Sequence, residues 1–444
     1  RGEGGRGAGS LRAYSPHFGP PPLGRGLFCI RNGTTTPGRQ LPMFSLLSHV
    51  AGPADPAAFA AAVRAVPAGG WARVRIAALE EGLSPLLCFR LRAADLLGAL
   101  PGPVAEALRR DHLESSAANL VRFDALRAVL PALEEASAPS IVLKGAAIAG
   151  TLYEEPGLRP MGDVDLLVEL ERLPAADGAL RALGYAPVDA PGALPVPSGD
   201  FPLSSLDYRT KDPMSVSFHL HWSLWNSTIP GLARSGSLPP KDLFARAVQA
   251  FLAHGLSARV LSPPDLAIHL CEHLLKVPHS ASRLVWLADL SRALPALSAP
   301  GGWADFAARA REAGIERPAV VALRLAGELA GARLPGDPAD LFAGVRLRAG
   351  ERLFCALARR GRRMPGLSIL VHLSARRGLS AKARFLKAVL FPSASALARR
   401  AGTPPGRASR LARLGEVGRA LLHAIRRLLF PGSGVSGRGV DSRL

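Results

Sequence analysis

The sequence predicts an α+β protein that is mostly helical, and three observations lead to this class. Apolar residues recur at intervals of three and four from about residue 56 to 135 and again beyond Pro239, which is the period of amphipathic helices. Two short apolar runs between these stretches, at 141–143 and 164–168, have the length of buried strands. A third run, 215–222, alternates apolar and polar residues, as a strand with one polar face does. We therefore expect strands only in the middle of the chain.

The composition indicates a globular protein with a packed core. Of the 444 residues, 48% are hydrophobic and 20% are charged. No apolar run reaches the ~18 residues that a membrane-spanning helix needs, so we expect no transmembrane segment. The four cysteines lack CxxC spacing, which argues against a disulfide framework or a cysteine-rich zinc module and favours a cytoplasmic location.

The positive charge is concentrated near the carboxyl end. Residues 346–444 hold 22 Lys and Arg against three acidic residues, whereas the preceding residues are nearly neutral. Segments around 382–390 and 410–427 resemble basic amphipathic helices. Their basic faces could contact nucleic acid, another polyanion or an anionic membrane surface, or could simply be solvated while the apolar stripes dock on the helical body. The abundance of Arg and Ala is also typical of a bacterial high-GC genome.

The pattern of the chain predicts five regions. We expect, in order, a disordered lead at 1–42 that reflects a misassigned start site, a helical region at 43–138, a core at 139–230, a second helical region at 231–345, and a basic helical tail at 346–444.

Two short motifs in the predicted core point to phosphate chemistry. Asp163 and Asp165 stand two residues apart at the start of an apolar strand, so both carboxylates project from the same face and can hold one divalent cation. Lys144 and Gly145 lie between a strand and a helix, where backbone N–H groups can approach a phosphate. The pair of motifs predicts a site for a metal and a nucleotide.

A longer series of residues resembles a known family. The matching segments are Lys144-Gly145, Tyr153, Pro156-Gly157, Arg159-Pro160, Asp163 to Val168, Gly184-Tyr185, Pro264 to Leu266, His269, His273 and Trp286 to Leu290. Together they resemble the uncharacterised nucleotidyltransferase family of the DNA polymerase β-like nucleotidyltransferase superfamily. The resemblance implies a small mixed sheet of that type flanked by helices, and transfer of a nucleoside monophosphate from an NTP to an acceptor that the sequence does not specify.

The resemblance also assigns roles to individual residues. Asp163 and Asp165 would be catalytic and would bind Mg²⁺ or Mn²⁺. The residues expected to bind the nucleotide are Lys144, Gly145, Ala146 and Arg159.

His219 departs from the pattern of the family, which places a third carboxylate at this position. An imidazole can bind a transition metal or act as a base near neutral pH, but it is a poor ligand for Mg²⁺. Asp207 and Asp212, which precede it, are alternative sources of the carboxylate. The departure leaves two hypotheses: an active enzyme with His219 in the catalytic site, or a catalytically impaired homologue that binds nucleotide or nucleic acid.

Residues 269–273 match the H-x-x-E-H pattern of some zinc peptidases. The third ligand that such a site needs is not evident, so we favour a structural helix and predict that His269 and His273 bind no zinc.

Overall fold

A computed structural model describes residues 41–53, 55–188, 204–212, 215–225, 238–276, 283–361, 368–376 and 378–390. The helices of this part of the chain are α1 Leu41–Ala51, α2 Pro56–Arg64, α3 Trp71–Glu80, α4 Ser84–Ala93, α5 Gly102–Glu135, α6 Lys144–Thr151, α7 Leu173–Ala182, α8 Pro240–Arg246, α9 Pro263–Leu274, α10 Leu284–Ala293, α11 Gly302–Glu312, α12 Glu316–Ala330, α13 Ala349–Arg359, α14 Ile369–Ala375 and α15 Leu379–Leu390. The strands are β1 Ile141–Leu143, β2 Val164–Leu167, β3 Ala186–Pro187, β4 Ser205–Arg209, β5 Phe218–His221, β6 Val248–Phe251 and β7 Ser257–Val260. No helix in these ranges has the length and apolar character needed to cross a bilayer.

The strands form one mixed sheet in the order β3-β4-β5-β2-β1-β7-β6. Strand β2 pairs antiparallel with β1 and parallel with β5, and β5 pairs antiparallel with β4. In this register, Leu143, Asp165, His219 and Asp207 lie side by side across four neighbouring strands. Residues that are far apart in sequence therefore meet in one row.

The two faces of the sheet have different partners because side chains alternate along each strand. On one face, apolar residues of β2, β4 and β5 pack with helices α5 and α7 in a core that includes Val164, Leu166, Tyr208, Phe218 and Leu220. The intervening residues of the same strands, including the aspartates and histidines, occupy the opposite face. A second apolar core joins the other face of this sheet to the amino-terminal helices and to the helices of the carboxyl-terminal half.

The predicted α+β class is confirmed, and so are the central elements. Strands at 141–143 and 164–167 and the intervening helix lie where the apolar runs predict them. The expectation of helix beyond Pro239 is wrong for β6 and β7, which extend the sheet past the predicted core limit at residue 230. Strand β6 has mainly exposed side chains, so its sequence lacks the apolar alternation that indicates a half-buried strand.

Part of the basic carboxyl-terminal region packs on the helical body. Phe354, Val371 and Phe385 from α13, α14 and α15 are buried, and the Arg376 guanidinium lies 3.9 Å from the centre of the Phe385 ring. The exposed residues of α15 include Arg384 and Lys387. Residues 1–40 of the lead predicted at 1–42 lie outside the described residues, as does the second predicted basic helix at 410–427, whereas α1 begins at Leu41.

Helix α5 fixes the segment that leads into β2. The Asn119 side-chain amide donates hydrogen bonds to the backbone carbonyls of Pro156 and Arg159, at 2.8 and 2.9 Å. One turn earlier, Ser116 lies against Gly157, and a Cβ atom at Gly157 would stand 2.9 Å from the Ser116 Cα. A side chain at Gly157 would push this segment, and the aspartates that follow it, away from α5.

We predict that Gly157→Ala lowers the free energy of unfolding by about 1–3 kcal/mol, because the added methyl group overpacks the contact with Ser116. Gly162→Ala is the matched control: a Cβ there meets nothing within 4 Å, so a change within about 0.5 kcal/mol is expected. Urea unfolding measures both values. Equal stability of the two variants would contradict the close approach.

Candidate functional site

The centre of the site is the buried carboxylate of Asp165. Its Oδ1 atom accepts a hydrogen bond from the Lys144 ammonium at 2.7 Å and lies 2.7 Å from Nε2 of His221. Asp165 and His221 are 4% and 3% exposed, respectively. The three residues come from β2, the start of α6 and the end of β5, so the pairing of the strands brings them together.

The protonation states follow from this contact. Burial alone would raise the pKa of the Asp165 carboxyl, but Lys144 and the hydrogen bond to His221 hold it well below its ordinary value. Burial, together with the charge of Lys144, lowers the pKa of His221 to about 4. At pH 7, therefore, Asp165 is ionised, and a neutral His221 imidazole donates the hydrogen of Nε2 to it.

Asp163 and His219 form the more open side of the site. The Asp163 Oδ2 atom lies 3.1 Å from Nδ1 of His219, and the same nitrogen is 3.8 Å from Oδ1 of Asp165. Partial loss of hydration among its neighbours, and then the negative charge of Asp165, raise the pKa of Asp163. The side chains of Asp163 and His219 are 40% and 34% exposed, which leaves this side accessible to a ligand.

Asp207 brings a third carboxylate to the row. Its Oδ1 atom lies 3.5 Å from Nε2 of His219, directly across the β4–β5 pair. Arg209 holds the other oxygen at 2.9 Å, and the Ser217 hydroxyl donates to Oδ1. Asp212, the other alternative, lies on an exposed bend after β4.

The donor atoms of this cluster suit a cation. Among the described residues, one group offers three potential ligand atoms within 4.8 Å of one another, and it consists of Asp165, His219 and His221. Asp163 adjoins this group, because its carboxylate contacts His219. The donors thus include imidazole nitrogen as well as carboxylate oxygen.

The residues that precede the cluster have an unusual backbone. Lys144 has a φ of +41°, a left-handed conformation that is unfavourable for a residue with a side chain. Gly145 and Ala146 follow it, buried, at the first turn of α6. A Cβ at Gly145 would lie 3.1 Å from Nη1 of Arg159 and from the Met161 side chain, so the backbone here approaches its neighbours closely.

Arg159 lies next to the first turn of α6 and forms an ion pair with Asp289 of α10. Its Nη2 atom donates to Asp289 Oδ2 at 2.8 Å, and the Tyr153 hydroxyl donates to the other oxygen at 2.8 Å. Burial alone would lower the pKa of the Arg159 guanidinium, but Asp289 raises it above its ordinary value. Arg292 lies 4.5 Å from the centre of the Tyr153 ring. The sequence does not reveal this pairing, because Asp289 is 130 residues from Arg159.

Helix α9 and the residues just after it contribute two further side chains that the motifs did not indicate as parts of this site. Burial, followed by the charge of Lys144, lowers the pKa of Lys276, whereas the charges of Glu272, Asp165 and Asp163 raise it. His269 is buried, and its ring nitrogens have no hydrogen-bond partner among the described residues. No feature of the sequence links either residue to the strands.

The H-x-x-E-H segment forms part of α9. His269 and His273 have ring centres 6.4 Å apart, and His273 meets the Trp286 ring edge-on at 5.0 Å. Neither histidine belongs to the three-residue group described above. The prediction that they bind no zinc stays a prediction.

Comparisons with known proteins identify relatives of the chain. The family described as uncharacterised nucleotidyltransferase matches residues 67–331, which include the whole cluster and its helical flanks. No curated protein matches the chain. Among solved structures, the chain is similar to the antibiotic-resistance factor ANT(2'')-Ia, with 18% sequence identity and a TM-score of 0.30; the match covers 45% of this chain and 96% of that chain.

The buried neutral His221 predicts a specific pH dependence of stability. Its pKa falls from 6.5 in the unfolded chain to about 4 in the folded protein, so the unfolded state binds more protons as the pH falls through this window. We predict that wild type loses about 2 kcal/mol more stability than His221→Gln between pH 7 and pH 5, since glutamine keeps a donor for Asp165 but does not titrate. Urea unfolding at the two pH values measures the difference. An equal loss in both proteins would show that folding does not lower the pKa of His221.

Proposed function

The chain belongs to the uncharacterised nucleotidyltransferase family, and we propose that it is a metal-dependent enzyme that moves a nucleoside monophosphate from an NTP to an acceptor. The observation that carries the proposal is the pair of carboxylates at the start of β2, Asp163 just before the strand and Asp165 within it, beside the Lys144 ammonium at the start of α6. In this reaction a nucleophilic atom of the acceptor forms a bond to the α-phosphorus, the bond from that phosphorus to the bridging oxygen breaks, and pyrophosphate leaves. The proton of the acceptor passes to a base.

The donor set supports a divalent ion as cofactor. Asp163 and Asp165 would hold it, and it would be Mg²⁺ or Mn²⁺. When bound, such an ion neutralises charge on the transferring phosphoryl group and orients it. The low pKa of Asp165 keeps one carboxylate ionised throughout the neutral range.

We propose that Lys144, Gly145 and Ala146 bind the triphosphate. The Lys144 ammonium, which lies 2.7 Å from a carboxylate oxygen of Asp165, would supply positive charge to the phosphate groups. The backbone N–H groups of Gly145 and Ala146 lie in the first turn of α6, where the helix dipole favours an anion. The left-handed backbone at Lys144 is typical of the strain that functional sites retain.

Arg159 would assist nucleotide binding through its position and its positive charge. Its guanidinium lies next to Gly145, and its charge lowers the pKa of Asp163. Because Asp289 already pairs with it, we propose that Arg159 supports the phosphate-binding turn and adds positive potential there.

We propose that the protein is located in the cytoplasm, and the cysteines support this location. The described cysteines, Cys88, Cys271 and Cys355, are free and buried. Burial raises the pKa of the thiol of each one, so none is an activated nucleophile. Free thiols are typical of proteins in a reducing environment.

The basic face of α15 supports a secondary interaction with a polyanion such as nucleic acid. Phe385 anchors this helix in the body, while Arg384 and Lys387 are exposed on it. Such charges attract phosphate groups through long-range electrostatics and release of counterions. We propose that this surface recruits an acceptor or a partner that carries many phosphates.

The central test of the proposed function is nucleotide binding by carboxylate variants. We predict that Asp163→Asn and Asp165→Asn each weaken metal-dependent binding of a non-hydrolysable NTP by at least about 10–100-fold, because each removes a charge that holds the ion. Asp305→Asn, which alters an exposed aspartate of α11, is the matched control and should bind as wild type does. Isothermal titration calorimetry with MgCl₂ or MnCl₂ gives the affinities, and circular dichroism verifies folding. Wild-type affinity in both active-site variants would refute the metal-dependent function.

The polyanion proposal has its own test. We predict that the affinity for an oligonucleotide falls steeply with salt, and that the double change Arg384→Glu and Lys387→Glu reduces the slope of log K against log salt by about 1–2. Fluorescence anisotropy between 50 and 200 mM salt provides the slopes. Identical slopes for the two proteins would exclude this face of α15 as the contact surface.

A further inference from the structure

We propose that His219 is a nitrogen ligand of the divalent ion, that Asp207 orients it, and that the site consequently prefers a transition-metal ion such as Mn²⁺ over Mg²⁺. The inference rests on the proposed function for the presence of an ion beside Asp163 and Asp165. It adds a third ligand, its supporting residue and the class of metal.

The Nδ1 atom of His219 lies close to both aspartates. It stands 3.1 Å from an oxygen of Asp163 and 3.8 Å from an oxygen of Asp165. Two atoms that bind the same ion at about 2.0–2.2 Å can be no more than about 4 Å apart. Each carboxylate oxygen is therefore close enough to Nδ1 to share an ion with it.

The other ring nitrogen of His219 points to Asp207. Nε2 lies 3.5 Å from Asp207 Oδ1, and the carboxylate is itself held by Arg209 and Ser217. Histidines that bind metals commonly donate their second N–H to a carboxylate, which fixes the tautomer and makes the free nitrogen a better ligand. With its proton on Nε2, His219 presents the lone pair of Nδ1 toward the two aspartates.

The neighbouring histidine has a different role. His221 uses Nε2 in its 2.7 Å contact with Asp165, and it is almost completely buried. It supports the aspartate, whereas His219 is one-third exposed and lies between Asp163 and Asp207. On this face of β5, His219 is thus the ligand of the ion, and His221 is the residue that donates a hydrogen bond to Asp165.

The choice of metal follows from the chemistry of these donors. Mg²⁺ prefers oxygen ligands and retains water, whereas first-row transition ions gain affinity from imidazole nitrogen. Replacing a carboxylate by His219 also removes one negative charge next to the ion. The lost charge weakens the binding of both ions, which carry the same charge, whereas the imidazole nitrogen compensates for this loss with Mn²⁺ more than with Mg²⁺.

Electron paramagnetic resonance of Mn²⁺ bound to the full-length chain tests the ligand directly. In wild type without nucleotide, we expect the electron spin echo to show modulation by a directly bound ¹⁴N nucleus. The signal should disappear in His219→Asp and persist in His221→Gln, which is the matched control on the same strand. Absence of Mn²⁺ binding, absence of nitrogen modulation in wild type, or its loss only in His221→Gln would overturn the proposal.

Metal affinities test the selectivity and the role of Asp207. We expect the ratio of Mn²⁺ to Mg²⁺ affinity to fall about tenfold in His219→Asp, since the new carboxylate restores an oxygen ligand. Asp207→Asn should weaken Mn²⁺ binding about 10–100-fold while the nitrogen modulation remains, as expected of a positioning residue. Unchanged Mn²⁺ affinity in Asp207→Asn would remove Asp207 from the proposal.

The outcomes separate this inference from the proposed function. If Mn²⁺ binds with nitrogen modulation but the protein binds no NTP, the ligand assignment stands and the nucleotidyltransferase proposal fails. If NTP binds with Mn²⁺ but no nitrogen modulation is seen, the function stands and His219 is not a ligand.

Discussion

A buried carboxylate at the centre of the sheet imposes the main constraint on this structure. An ionised aspartate that is only 4% exposed loses several kcal/mol of hydration free energy unless other groups replace the water. Lys144 and His221 supply the replacement for Asp165: Lys144 directly follows β1 and His221 ends β5, the two strands that flank β2. The strand order and the register must therefore be maintained for the charge to be tolerated, and both also align the more exposed Asp163 and His219.

The two aspartates of the motif are consequently not equivalent. Asp165 has a lowered pKa and fixed partners, whereas Asp163 has a raised pKa and a more exposed side chain. One carboxylate maintains the local architecture and the charge, while the other can adapt to a ligand. The positive charges of Lys144 and Arg159 favour the ionised form of Asp163 and offset part of the negative charge of the two carboxylates.

The sequence predicts those features that depend on neighbouring residues. The apolar runs of β1 and β2 are long enough to indicate buried strands, and the spacing of Asp163 and Asp165 places both on one face. Strand order has no comparable local signal, so the contacts of Asp165 with His221, and of His219 with Asp207, emerge only when β5 is placed beside β2 and β4. The sequence does not predict β6, because the residues of this strand do not alternate between buried apolar and exposed polar side chains. Arg159 was expected to face phosphate, and its pairing with the distant Asp289 could not be read from the chain.

The Arg159–Asp289 ion pair, together with the hydroxyl of Tyr153, connects the region of the sheet to the helical half of the protein. Arg159 belongs to the segment before β2, while Asp289 belongs to a helix of the opposite half. A chimaera that joined this sheet to the helices of an unrelated protein would leave a buried guanidinium without its carboxylate, a change that typically destabilises a protein by about 3–5 kcal/mol. The sheet and these helices therefore cannot be exchanged separately without a loss of stability.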